Sequence, residues 1–247
     1  METTNFTALS IDRERLHEQV ANQLIKFILQ EKLPTGTRLP TERSLSEQFG
    51  VSRVVIRESM KVLAGYGLIV VEPGKGTFVS NGISGSMLKL LDLLCRIEDL
   101  DSDKLWEVRS PLEIAVARLA ALRADPQEIE ILESRTDDME KNINDVEIHR
   151  AANEKFHLAL ASATKNELFL FLLQPLVHLT KETRILMAKE PMAAKTAVQS
   201  HKRLVAAIKQ HDPDKAEQEM RSHMEDGARF LSLVTAARQK ADEDSPS

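Results

Sequence analysis

One pattern runs through almost the whole chain: apolar residues recur every three or four positions, and it gives way in a single stretch, residues 68–80, to two short runs rich in β-branched residues. The helical spacing puts apolar side chains on one helix face, whereas short β-branched runs bounded by turn residues read as strands. A chain patterned this way folds as helices with one small β element. Composition agrees: 9 glycines in 247 residues and 4% aromatic residues disfavour a β-sandwich or barrel. The length suggests one large or two ordinary domains at ~150 residues each. The single cysteine, Cys95, excludes an internal disulfide and any cysteine-cluster zinc site.

Three helices are expected before the break. Residues 11–32 carry Leu16, Val20, Leu24, Phe27 and Ile28 at helical spacing, and Pro34 and Gly36 end the run. Thr41 is a fitting N-cap for the segment 42–49, with Gly50 in the C′ position. Ser52 then caps a third helix striped by Ile56, Met60 and Leu63 and closed by Gly65 or Gly67. The runs Leu68–Glu72 and Gly76–Ser80, separated by Pro73-Gly74-Lys75, form a hairpin. Helix, helix–turn–helix and hairpin in this order make a winged helix–turn–helix.

The small polar run 81–86 reads as a linker, and a short apolar helix, 87–95, follows. Beyond it everything is helical. The segment 103–123 places Leu105, Val108, Leu112, Val116 and Leu119 on one face. Asp125-Pro126 and Asp212-Pro213 each set an N-cap before an N1 proline. Further helices are expected at about 126–143, 146–163, 166–188, 193–210 and 213–237. The fold class is mainly α, with a winged domain at 1–80, linker and connecting helix at 81–102, an all-α bundle at 103–237 and a polar tail at 238–247. No signal peptide is expected from METTNFTALSIDRER, and the longest apolar stretch, near 168–173, is too short to span a bilayer. The expected location is the cytoplasm, with no membrane partner.

The net charge of -5 seems to argue against a nucleic-acid partner until it is divided. Residues 1–80 hold ten basic and nine acidic residues, net +1, and residues 81–247 carry net -6. A DNA-binding surface needs a local basic face, not a basic protein. The second helix of a helix–turn–helix lies in the major groove with its N-terminal residues at base edges. Here that end carries Ser52, Arg53 and Arg57, and the arginines share a face. Arginine matches guanine O6 and N7 with its planar fork. On the residues alone, ordinary surface arginines are an equal reading.

The segment 39–79 resembles the DNA-binding domain of the GntR superfamily, on Leu39-Pro40, Glu42-Arg43, Gly50-Val51-Ser52-Arg53, Arg57-Glu58 and Gly74-Lys75-Gly76 with Val79. The resemblance implies DNA contact by Arg43, Ser52, Arg53, Val54, Val55, Arg57 and Gly74, and Lys75 joins them at the wing tip. The family often has Thr or Pro where Val54 and Val55 stand, so contact there is expected with a thymine methyl.

Seven histidines occur, and a lone helical histidine is more often packed than a ligand. Asn153 and His157 leave one helix face together, while His201 and His223 lie on the last two helices beside apolar residues. Bundles commonly build metal sites where such faces converge. Three imidazoles and an oxygen suit Zn²⁺, with Ni²⁺ or Fe²⁺ as alternatives. Residues 100–235 also resemble the FCD effector domain of the FadR subfamily, through the Asn153/His157 pair, the segment from His201 to Ile208 and the last His223. That resemblance implies Asn153, His157, His201 and His223 as metal ligands, with Asn153 standing where the family has Asp. Arg109 and Glu113, four apart, are either an intrahelical ion pair or, for Arg109, the holder of an effector carboxylate. His178 is a pocket candidate for which core packing is the better reading, and Asn166 a helix cap.

These features predict a homodimeric regulator, not an enzyme, that binds a palindromic double-stranded operator, represses organic-acid genes and responds to a small carboxylate. The rivals are a metal-dependent hydrolase on the three histidines and a metal-free regulator.

Overall fold

A computed structural model describes residues 13–80 and 82–243. The chain divides into two compact units, residues 1–89 and 90–247. Ile11 and Asp12 of the expected first helix, Asn81 of the expected linker and residues 244–247 of the expected tail lie outside the described residues.

In the first unit, α1 (Arg13–Gln30), α2 (Glu42–Phe49) and α3 (Arg53–Gly65) precede an antiparallel hairpin of β1 (Ile69–Glu72) and β2 (Gly76–Val79), paired Ile69 to Val79 and Glu72 to Gly76. The caps are those the sequence predicts. Thr41 Oγ1 accepts from Ser44 N at 3.2 Å, and Ser52 Oγ accepts from Val55 N at 3.3 Å. Gly50 ends α2 in the left-handed conformation at φ 63°, which a side chain would strain. Leu24, Ile28, Leu45, Ile56, Leu63 and Ile69 form one core. Ser59 Oγ donates to the His17 carbonyl at 2.8 Å and ties α3 to α1. Of the α1 stripe, Val20, Leu24 and Ile28 are buried, but Leu16 and Phe27 are exposed and Ala21 is buried in their place. The segment after Pro34 is more than a terminator. Leu39 N donates to Thr77 O and Val79 N to Thr37 O, both at 2.8 Å, so 37–39 pairs along the free edge of β2.

The linker expectation needs correcting. Helix α4 (Ile83–Ile97) starts inside the polar run 81–86. A glycine costs about 1 kcal/mol in a helix interior. Here Gly85 sits in the first turn, and the helix-forming run from Met87 to Leu94 carries it.

The second unit is a bundle: α5 (Ser102–Arg123), α6 (Pro126–Lys141), α7 (Val146–Ser162), α8 (Glu167–Leu179), α9 (Lys181–Lys189), α10 (Pro191–Lys209) and α11 (Pro213–Glu243). Asp125 and Glu128 complete a capping box at α6. The helix expected over 166–188 is two helices, parted at Thr180, whose φ of -86° and ψ of 15° leave the helical range while its Oγ1 donates back to the Leu176 carbonyl at 3.0 Å. The tail expected from 238 is helical to Glu243, since Ala, Gln, Lys and Glu all favour helix whether or not they pack. Helix α5 packs against α7, α8, α10 and α11. Its buried face is only partly the expected one: Val116 is inside as predicted and Leu112 packs on the core, but Trp106, Arg109, Glu113 and Ala120 are buried too and Val108 is 54% exposed. That face carries an ion pair and alanines, so its hydrophobicity does not mark it. Val116, Leu132, Phe156, Leu160, Leu204 and Ile208 are completely buried around it.

Candidate nucleic-acid interface and candidate metal centre

In the first unit the capped start of α3 is open to solvent. Ser52, Arg53, Val54 and Arg57 are exposed, and Val55 is half-buried against the core. No acid stands in the first turn of α3, so its amide end keeps a positive field that suits phosphate. The cations differ in their partners. Arg57 donates from Nε and Nη2 to Glu42 Oε2 at 3.3 and 3.2 Å, Arg43 pairs with Glu47 at 3.0 Å, and Lys75 pairs with Glu72 at 3.1 Å. Arg53 has no hydrogen bond or ion pair among the described residues. Exposed pairs of this kind are worth at most about 1 kcal/mol, so a phosphate displaces the acid at little cost. Gly74, with φ 76°, lets the hairpin turn tightly and presents Lys75 at the tip.

In the second unit, α7, α10 and α11 bring His157, His201 and His223 together. One ring nitrogen from each lies within 4.8 Å of the others, and all three residues are buried. Asn153 stands one turn before His157, and its Oδ1 is buried without a hydrogen-bond partner. His157 donates from Nδ1 to Glu113 Oε2 at 2.5 Å, which leaves Nε2 as its lone pair. Arg109 Nε in turn donates to Glu113 Oε1 at 2.6 Å. His201 has Nδ1 3.2 Å from Met139 Sδ, and its Nε2 is buried and unpartnered. Phe156 stacks on the His201 ring at 4.0 Å and fixes its plane.

The electrostatics suit a cation. Burial pushes all three histidines below their ordinary pKa, His223 to about 3 and His201 well below its usual value, and Glu113 only partly opposes this at His157. The rings are therefore neutral, as metal ligation requires. Burial pushes the Glu113 carboxyl up, but Arg109 and His157 outweigh it and hold the group well below the usual carboxylate range. Three neutral imidazoles with an orphan amide oxygen fit a divalent metal with nitrogen and oxygen donors, and the carboxylate behind His157 sets its tautomer.

A small cavity opens beside the cluster, with Trp106, Arg109, Asn153, His157, Arg184 and His223 among its walls. Gly227 also lines it, and a Cβ there would run into the Trp106 indole. Arg109 makes the ion pair with Glu113 that was one of its two readings, and it also lines the cavity. His178 is exposed on α8 and does not line this cavity, because α8 turns Leu176 and Val177 inward instead. Asn166 Oδ1 caps α8 by accepting from Leu168 N at 3.1 Å.

Sequence reasoning missed Glu113 as the partner of His157, and it missed Arg184. The i, i+4 relation of Glu113 to Arg109 was visible, but nothing in the sequence signals that the pair is buried. His149 was also missed; it is buried in the cavity wall and donates from Nδ1 to the Met139 carbonyl at 3.0 Å.

Comparison with known proteins covers both units. The family profile described as Bacterial regulatory proteins, gntR family, matches residues 16–79, and the FCD domain profile matches residues 104–226. The HTH-type transcriptional regulator LutR of Bacillus subtilis (strain 168) is 29% identical over 198 residues, 78% of this chain and 90% of that protein. The galactonate operon transcriptional repressor of Escherichia coli (strain K12) is 30% identical over 225 residues, 88% of this chain and 97% of that protein. The solved structure of Streptococcus agalactiae GntR matches with a TM-score of 0.75 at 28% identity, covering 87% of this chain and 99% of that one.

Proposed function

The chain belongs to the GntR family of bacterial transcription regulators and carries an FCD domain of the FadR type, and on that premise we propose that it is a homodimeric, cytoplasmic repressor switched by a small carboxylate. Its target is a palindromic double-stranded operator, since a two-fold dimer matches two half-sites. Arg53 and Arg57 read base edges from the start of α3, with Val54 and Val55 against thymine methyls. Ser52 and Arg43 hold the backbone, and Gly74 and Lys75 reach the neighbouring groove or its phosphates. The carrying observation is the exposed, acid-free first turn of α3 with Arg53 unpaired at its head.

In the second unit, Asn153, His157, His201 and His223 hold a divalent metal, with zinc first and nickel or iron as alternatives. When bound, that metal supplies a positive Lewis-acidic centre for an anionic effector. The orphaned Asn153 Oδ1 and His201 Nε2 support this, because buried polar atoms without partners are rare. Glu113 orients His157, and Arg109 holds Glu113 while facing the effector. A hydrolase would need a carboxylate free to act as base. Glu113 is bonded to both Arg109 and His157, which favours a regulator. The effector class is a hydroxy or sugar acid, the chemistry named by the galactonate repressor among the relatives. By differential affinity the acid favours one of two placements of the DNA-binding units.

The test is selection of an operator from random duplexes, then titration by fluorescence anisotropy. Arg53→Ala is expected to weaken the selected site by about 5- to 150-fold, the value of one bidentate base contact. Equal binding by the variant overturns the interface.

A further inference from the structure

Arg184, on α9, is 5% exposed and lies in the wall of the cavity beside the histidine cluster. Its charge is poorly matched. Nη2 donates to the Val177 carbonyl, but Nε and Nη1 are buried with no acceptor. The acid paired with it, Glu154, stands at 3.6 Å and is held more closely, at 2.9 Å, by Arg150. Arg109 is the contrast: equally buried, it has the Glu113 carboxylate at 2.6 Å. Burial, and then repulsion from Arg109, pull the Arg184 pKa down to about 9, as befits a cation short of counter-charge.

A guanidinium held in this way is a cost to the folded chain, because buried donors without acceptors and a buried charge whose acid is distant and shared are both unfavourable. An anion entering the cavity removes both costs. We infer that Arg184 is the carboxylate receptor of this cavity, the residue by which an organic acid is told from a neutral molecule of the same shape. Arg109 shows the ligand a cation whose charge Glu113 already balances; Arg184 supplies the unbalanced one. The ligand class is a small organic anion with a carboxylate for Arg184 and a second oxygen donor, a hydroxyl or another carboxylate oxygen, directed toward the histidine cluster. This assignment rests on the effector reading of the cavity.

The full-length zinc-loaded protein and the variants Arg184→Met and Arg184→Lys are titrated with L-lactate and D-galactonate, with lactamide as the neutral control. Thermal shift and calorimetry read binding, and elemental analysis reads zinc. At least one acid is expected to stabilise the wild type, and lactamide is expected to have no effect. Arg184→Met is expected to keep its zinc, to melt no lower than wild type without ligand, and to bind the acid at least tenfold more weakly. Acid binding by Arg184→Met within threefold of wild type overturns the inference, and so does a lowered melting temperature with acid affinity intact. If Arg184→Met does not fold, Arg184→Lys decides. It keeps the charge without the planar fork, so tenfold weaker binding with zinc retained supports the assignment and wild-type affinity overturns it. If neither acid binds the zinc-loaded wild type, the effector reading fails and takes the assignment with it.

Discussion

At the scale of single residues, the buried chain Arg109–Glu113–His157 decides the character of the candidate metal centre. Asn153 offers an oxygen but no charge. Glu113 puts a carboxylate one bond further out, 2.5 Å from the far nitrogen of His157. Such outer carboxylates raise ligand basicity and typically matter 10- to 100-fold in metal affinity. Glu113→Gln is therefore expected to weaken zinc about 10- to 100-fold in competition with a chelator. It also strands the Arg109 charge, a loss of about 3–5 kcal/mol in the manner of other broken buried pairs. Unchanged zinc affinity would show that the carboxylate only fixes the fold. The spacing of Arg109 to Glu113 was legible in the sequence. Their burial was not, because charge normally marks the outer face of a helix.

At the scale of elements, local chemistry sets the edges of the reading unit. Ser52 Oγ takes the Val55 amide and directs the first turn of α3. Ser52→Ala is expected to lower stability by about 1 kcal/mol through the lost cap. A urea melt measures this, and a midpoint unchanged within error argues that solvent caps the helix as well. The elements misjudged from sequence share one cause. The polar run before α4 and the residues beyond 237 have helix-compatible backbones, and polarity alone does not end a helix. The break at Thr180 lies in the backbone angles of that one residue, which a periodic apolar pattern runs straight across.

At the scale of the whole molecule, the uneven charge is the working feature: net +1 over residues 1–80 against net -6 over the remainder. Under the proposed function the acidic remainder is expected to discourage nonspecific DNA contact, and the exposed ion pairs of Arg43, Arg57 and Lys75 cost little to exchange for phosphate. Operator affinity is expected to fall linearly in log–log form with salt as phosphate contacts release counterions. Lys75→Ala is expected to reduce the steepness by about one unit without changing sequence preference, since a phosphate contact carries no base information. A slope unaffected by the substitution removes Lys75 from the interface.

What the sequence determined by itself is everything that depends on neighbours along the chain. Helix spacing, the caps at Thr41, Ser52 and Asp125, the left-handed Gly50 and the hairpin between residues 68 and 80 are set within a few residues. So is the DNA-reading segment, whose side chains lie on one helix end and one turn. Asn153 and His157 were legible for the same reason, being one helical turn apart. Only the tertiary structure decided that His201 and His223 come within 4.8 Å of His157, that the Arg109–Glu113 pair points inward, and that Arg184 faces a cavity with two nitrogens unpaired. These depend on how helices far apart in sequence pack together. Burial, which controls both charge state and partner, is a property of that packing and not of residue type.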